Sequence, residues 1–190
     1  MFKIQTYLVK HSHKRTNLSS FQNTRDDYIG LEESSKLKDY FAYKDFSPEY
    51  IHMLVTIQYK DKVLVGIDGL SGLDLWEQTY FVAIEQYVKT RSAETMYGID
   101  PVTLKFQPKD NTFIRFTIID DWPPNHIYAE AVLPEKEFLG ALLMEAVHFW
   151  EVLLEYKVFE GENKREDTPS DYPAQMITEV KKLGEKIKLL

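Results

Sequence analysis

The residues of this chain whose types and spacing could do chemistry are histidine and carboxylate pairs. His11-Ser-His13 puts two imidazoles on one side of an extended backbone, the spacing at which a first barrel strand supplies ligands to a hydrolytic metal. Such a barrel needs a longer chain and a later ligand set. Flanked by Lys10, Lys14 and Arg15, the pair reads instead as a basic turn. Glu145-x-x-His148 has the spacing of a di-iron helix, but there is no second such pair, which leaves an i, i+3 pair on a helix surface. Asp120-Asp121 closes one apolar run and Asp68 follows another. Aspartates so placed can hold Mg²⁺ or exchange protons, and with His52 or His126 beside them they would make a metal-assisted hydrolase. Their ordinary role is to begin turns. Gly66-Ile-Asp-Gly69-Leu-Ser-Gly72 matches neither phosphate-binding glycine pattern and holds an acid in place of a lysine. There is no G-x-S-x-G elbow, and zero cysteines remove thiolate nucleophiles, thiolate metal sites and disulfides. The expectation is a chain with no catalytic set, no metal and no cofactor.

Surface character is the stronger signal. The chain has 190 residues, with 23 Lys plus Arg against 30 Asp plus Glu, a net charge of −7. That balance argues against general nucleic-acid affinity, which rests on cationic side chains displacing counterions. Acids cluster at Asp26-Asp27, Glu32-Glu33, Asp120-Asp121 and through Glu160–Asp171, with Tyr28, Tyr40 and Trp122 close by. Acids steer a basic partner, and an exposed aromatic anchors it. The expected partner-binding residues are therefore Asp26, Asp27, Glu32, Glu33, Asp120, Asp121 and Trp122. The competing reading is that these acids only keep the domain soluble.

The elements that must position these residues follow from hydrophobic period. Phe2–Val9, Ile51–Tyr59, Val63–Ile67, Val102–Gln107, Thr112–Asp120 and His126–Leu133 alternate as strands, the later ones joined by short turns. On the last strand Ile127, Ala129, Ala131 and Leu133 are expected to share a face. A middle helix opens at Asp74, with Asp74 as N-cap and Glu77 as the acidic half of the cap, and ends near Arg91. Pro134 opens a long helix whose two apolar ridges, Phe138 to Leu153 and Leu139 to Leu154, should lie across a sheet. Residues 1–49 are less regular, with a short helix near Lys36–Tyr43. Residues 159–172 form a mobile charged loop, and 173–190 a terminal helix. Together these give one α+β domain over 1–190: a mostly antiparallel sheet built from hairpins, with the middle and long helices packed on one face. No apolar run reaches the length of a membrane span and no leader pattern opens the chain, so a cytoplasmic location with no membrane partner is expected.

Asp74-Leu-Trp76, Pro101-Val102-x-Leu104, Glu137-Phe-Leu139 and the Phe149-Trp150 pair, in this order of elements, resemble small bacterial immunity proteins of polymorphic and contact-dependent toxin systems. The resemblance spans Tyr50 to Leu154. It implies a non-enzymatic inhibitor that occludes a basic cognate toxin, such as a nuclease whose cationic cleft the inhibitor's acids would fill. It carries over no catalytic residues. Beside it stand two alternatives, the metal-assisted hydrolase above and a small-ligand module with a pocket between the long helix and the sheet.

Overall fold

The computed structural model describes residues 1–11, 24–44, 46–49, 51–98, 101–160 and 168–190. The alternating run Phe2–Val9 forms β1 and pairs antiparallel with β3 (His52–Tyr59), in register from Phe2 opposite Tyr59 to Leu8 opposite Met53. A short β2 (Tyr28–Gly30) covers only Tyr7 to Val9 on the other side of β1. β4 (Lys62–Val65) and β5 (Gly72–Leu73) both pair with β3, so the first sheet runs β2-β1-β3-β4 with β5 beside β3. The second sheet takes its strands in chain order: β6 (Ala93–Met96), β7 (Val102–Pro108), β8 (Phe113–Asp120) and β9 (His126–Pro134). The α+β class expected from the sequence is what the structure has, with its strands divided between two antiparallel sheets.

Among the described residues four α-helices complete the fold: α1 (Ser34–Phe41), α2 (Val82–Thr90), α3 (Glu135–Glu155) and α4 (Tyr172–Lys188). None among the described residues is long and apolar enough to cross a membrane. The middle helix departs from expectation at its start. Leu75–Phe81 is π-helical, and Asp74 is left-handed (φ 46°) with no side-chain cap onto the turn that follows. The Asp74 carboxylate accepts from the Ile51 amide at 3.2 Å, so it ties the helix entry to the start of β3. Two hydroxyls hold the widened turn, Thr79 donating to the Met96 carbonyl (2.9 Å) and Thr95 to the Thr79 carbonyl (3.3 Å). Gly72 is required here, because a Cβ would lie 2.7 Å from the Gly98 Cα.

β9 also departs from its simple alternation. The pairing with β8 shifts between Ile118 and Ile119, so Ile119 faces Ile127, Ile118 faces Ala129, and Tyr128 is the extra residue of a bulge. Ala129 and Leu133 point inward as expected, but Ile127 is turned out and 50% exposed.

The core is continuous across both sheets. Phe138 of α3 packs against Phe2 and Phe116, each with ring centroids 5.4 Å away, and against Phe106 at 6.1 Å. The Trp76 indole donates to the Thr6 hydroxyl at 2.9 Å, both groups buried. At the start of α3 the buried Glu135 accepts from the Tyr87 hydroxyl and is gripped by Arg91 at 2.7 and 3.1 Å, which locks the end of α2 to α3. The segment 161–167, where the mobile charged loop was expected, lies outside the described residues. Its flanks are anchored: Phe159 is buried and rests against Tyr172.

Candidate binding surfaces

The N-terminal acids are largely engaged within their own turn. The Asp27 carboxylate accepts from the Thr24 amide (2.7 Å) and hydroxyl (3.0 Å). Glu33 accepts from Arg25 (2.6 Å), from Lys36 and from the Gly30 amide (2.8 Å), and these donors hold its carboxyl down at about 2. Asp26 and Glu32 are exposed, with the Asp26 carbonyl taking the Lys10 ammonium. The neighbouring aromatics do not serve as anchors, because Tyr28 and Tyr40 are buried. Burial pushes the Tyr40 hydroxyl well above its ordinary range.

Asp120, Asp121 and Trp122 lie elsewhere, where β8 ends in the second sheet. Asp121 accepts from Thr103 (2.5 Å) and Lys105 (3.0 Å), which lowers its pKa, and Lys105 also reaches Glu94 at 3.5 Å. Asp120 accepts from the Trp122 amide at 2.9 Å, forming the turn that presents the indole. Trp122 is 68% exposed. Beside it runs a row that the sequence reading missed. Met96, Thr103, Ile119 and Ile127 are successive cross-strand partners on the outer face of the sheet, and Met96, Ile127 and Tyr128 are exposed. The bulge puts Ile127 into this row, and no one-strand pattern reveals that. So the structure gathers three of the seven expected residues around an apolar patch and leaves Asp26, Asp27, Glu32 and Glu33 on the first sheet's margin.

The residues of the hydrolase alternative are divided between the sheets, His52 and Asp68 in the first and Asp120, Asp121 and His126 in the second. His52 pairs with the Ser71 hydroxyl (3.1 Å) in the first sheet, and Asp68 is exposed between β4 and β5. His126 stands opposite Asp120 and packs edge-on to Tyr128 at 4.6 Å. Among the described residues no group of three or more histidines and acids could hold a metal ion. His11 is stacked between Tyr40 (4.1 Å) and Tyr43 (4.5 Å), its Nε2 3.0 Å from the Tyr40 carbonyl. His13 lies outside the described residues.

An open groove of about 1200 Å³ lies between the start of β1, α3 and α4. It differs from the expected pocket in being bounded by two helices and a strand edge. Phe2, Ile4, Leu143, Val147, Val180 and Ile187 give it an apolar floor, and Gly140 and Gly184 keep it open. At one end Glu145 accepts from the Thr6 amide at 2.7 Å and faces the His148 ring at 3.5 Å. Burial raises the Glu145 pKa against the lowering effect of those two contacts. No protein family, curated protein or solved structure matches this chain.

Proposed function

We propose that this chain is a non-catalytic protein-binding domain, an immunity-type inhibitor that occludes a basic toxin with the outer end of its second sheet. The observation that supports this reading is the exposed row of Met96, Ile127 and Tyr128 beside Trp122. A patch of large apolar side chains centred on an indole and rimmed by acids is the composition of an interface hot spot. Asp120 lies at the edge of the patch with Glu94 and Glu130, which are paired with Lys105 and Arg115, and the net charge of −7 supplies the long-range attraction. Trp122 would enter the partner's surface, while the acids would set orientation and on-rate and stand in for the phosphates of a nuclease substrate.

The test compares the parent chain with Trp122→Ala and Ile127→Ser as baits in a lysate of the source organism. The expected result is one cationic protein retained by the parent, released by raised salt, and inhibited when bound. Trp122→Ala is expected to weaken that complex by about thirtyfold or more while leaving the thermal midpoint unchanged. Equal retention by both variants, or a partner whose activity continues in the complex, overturns the proposal. So does a rise in thermal midpoint with millimolar Mg²⁺, Mn²⁺ or Zn²⁺ that Asp120→Asn abolishes, since that result belongs to the hydrolase.

A further inference from the structure

The groove between β1, α3 and α4 has a strand edge for one wall, and hydrogen-bond parity shows which backbone groups line it. In an antiparallel pair, alternate residues direct both backbone groups toward the same neighbour. The Lys60 amide donates to the Met1 carbonyl (3.0 Å), so the odd-numbered residues of β1 point at β3. The Lys10 amide donates to the Asp27 carbonyl (2.9 Å) and the Thr6 amide to Glu145 (2.7 Å), so the even-numbered residues point the other way. On that side β2 stops at Gly30, opposite Tyr7. Among the described residues no strand pairs with Phe2, Ile4 or Thr6 there. Glu145 takes the Thr6 amide in place of a strand, and the backbone groups of Phe2 and Ile4 are left facing the groove.

The rim carries a charge unlike the rest of the molecule. Lys3, Lys136, Lys181 and Lys188 line it, against Glu137, Glu145 and Glu185. Lys188 is paired with Glu185 at 2.6 Å and Lys136 donates to the Lys188 carbonyl, while Lys3 and Lys181 have no ion-pair partner among the described residues. The lining thus carries four lysines against three glutamates, a small cationic excess on a chain of charge −7.

We propose that this groove takes an extended peptide segment, apolar at alternate positions and flanked by carboxylates, which adds as a strand to the open edge of β1. Its backbone would pair with Phe2 and Ile4, its alternate side chains would enter the floor beside Gly140, and its acids would meet Lys3 and Lys181. The open stretch from Phe2 to Gln5 spans roughly 10 Å, enough for three or four residues of strand. A fatty acyl chain could fill the same floor but would leave the strand edge unsatisfied. This site is separate from the Trp122 surface and does not depend on the function proposed for it.

The probe is a synthetic peptide alternating valine and threonine with glutamates at both ends, titrated against the full chain. Binding should slow hydrogen exchange at the Phe2 and Ile4 amides. The same peptide N-methylated at alternate residues should bind about tenfold or more weakly, since it loses the backbone pairing. Gly140→Trp should block binding without unfolding the chain, because nothing lies within 4 Å of a Cβ at that position. The exposed change Lys181→Glu gives a second reading that is independent of groove shape. It should weaken the glutamate-ended peptide and strengthen a lysine-ended one. Equal binding of the N-methylated peptide overturns the proposal, as does failure of the peptide to bind. Saturable binding of oleate alone, or a dimer of the chain that Gly140→Trp dissociates, also overturns it, because each gives the groove a different occupant.

Discussion

Glu33 accepts from Arg25, Lys36 and the Gly30 amide, and its carboxyl is held at about 2 against an ordinary 4.5. A depressed acid stabilises the fold above its unfolded value and loses that contribution as pH falls from 4.5 through about 2. Glu145 acts in the opposite direction. Burial raises its pKa, so the folded chain binds its proton more tightly than the unfolded chain does. Stability is therefore lost as pH rises from the ordinary carboxylate value through the raised one. Urea unfolding as a function of pH separates the two. Glu33→Gln should cost about 1 kcal/mol at pH 7 and flatten the acid limb. Glu145→Gln keeps an acceptor for the Thr6 amide, should change stability at pH 7 by less than about 1 kcal/mol, and should remove the loss on the rising side. If either variant leaves its limb unchanged, the cause assigned to that shift is wrong.

At the scale of elements, the junction of α2 and α3 depends on one buried carboxylate. Arg91 ends α2 in a left-handed turn and meets Glu135 with one hydrogen bond and a second ion-pair contact, while Tyr87 donates to the same group. Arg91→Ala leaves a buried carboxylate without its cation and is expected to cost about 3 kcal/mol, read as a drop in thermal midpoint. Glu135→Gln, which keeps an acceptor for Tyr87, should cost less. Most elements were legible in the sequence because each depends on local period and caps. The α1 helix, the β7–β8 and β8–β9 hairpins, the end of α2 at Arg91 and the start of α3 at Pro134 all lie where spacing places them, whereas the short β6 went unread. The exceptions arise where a long-range partner overrides a local rule. Asp74 looks like an N-cap, yet its carboxylate bonds to Ile51, 23 positions away in the chain. Ile127 keeps step with Ala129 only until the bulge opposite Ile118 and Ile119 turns it outward.

For the molecule as a whole, Phe138 is a shared contact of both sheets, touching Phe2 from the first and Phe106 and Phe116 from the second. Phe138→Ala is expected to cost about 3–5 kcal/mol, a large part of the stability of an ordinary domain, and to unfold both sheets in one transition. Separate transitions followed by near-ultraviolet dichroism would show that the sheets are independent. The candidate surfaces were less legible than the fold, for a physical reason. Trp122 and Asp121 stand out as residue types, but the row beside them is assembled from β6, β7, β8 and β9. The groove likewise depends on which way the Phe2 and Ile4 amides point, and side-chain pattern does not encode that. Glu145 read as a surface partner of His148, whereas its main contact is with the amide of Thr6, 139 positions earlier. During synthesis, then, the Thr6 amide waits 139 residues for its acceptor, until Glu145 has been added to the chain. Through that interval a chaperone that grips extended backbone can hold the Thr6 amide, which the carboxylate of α3 later takes.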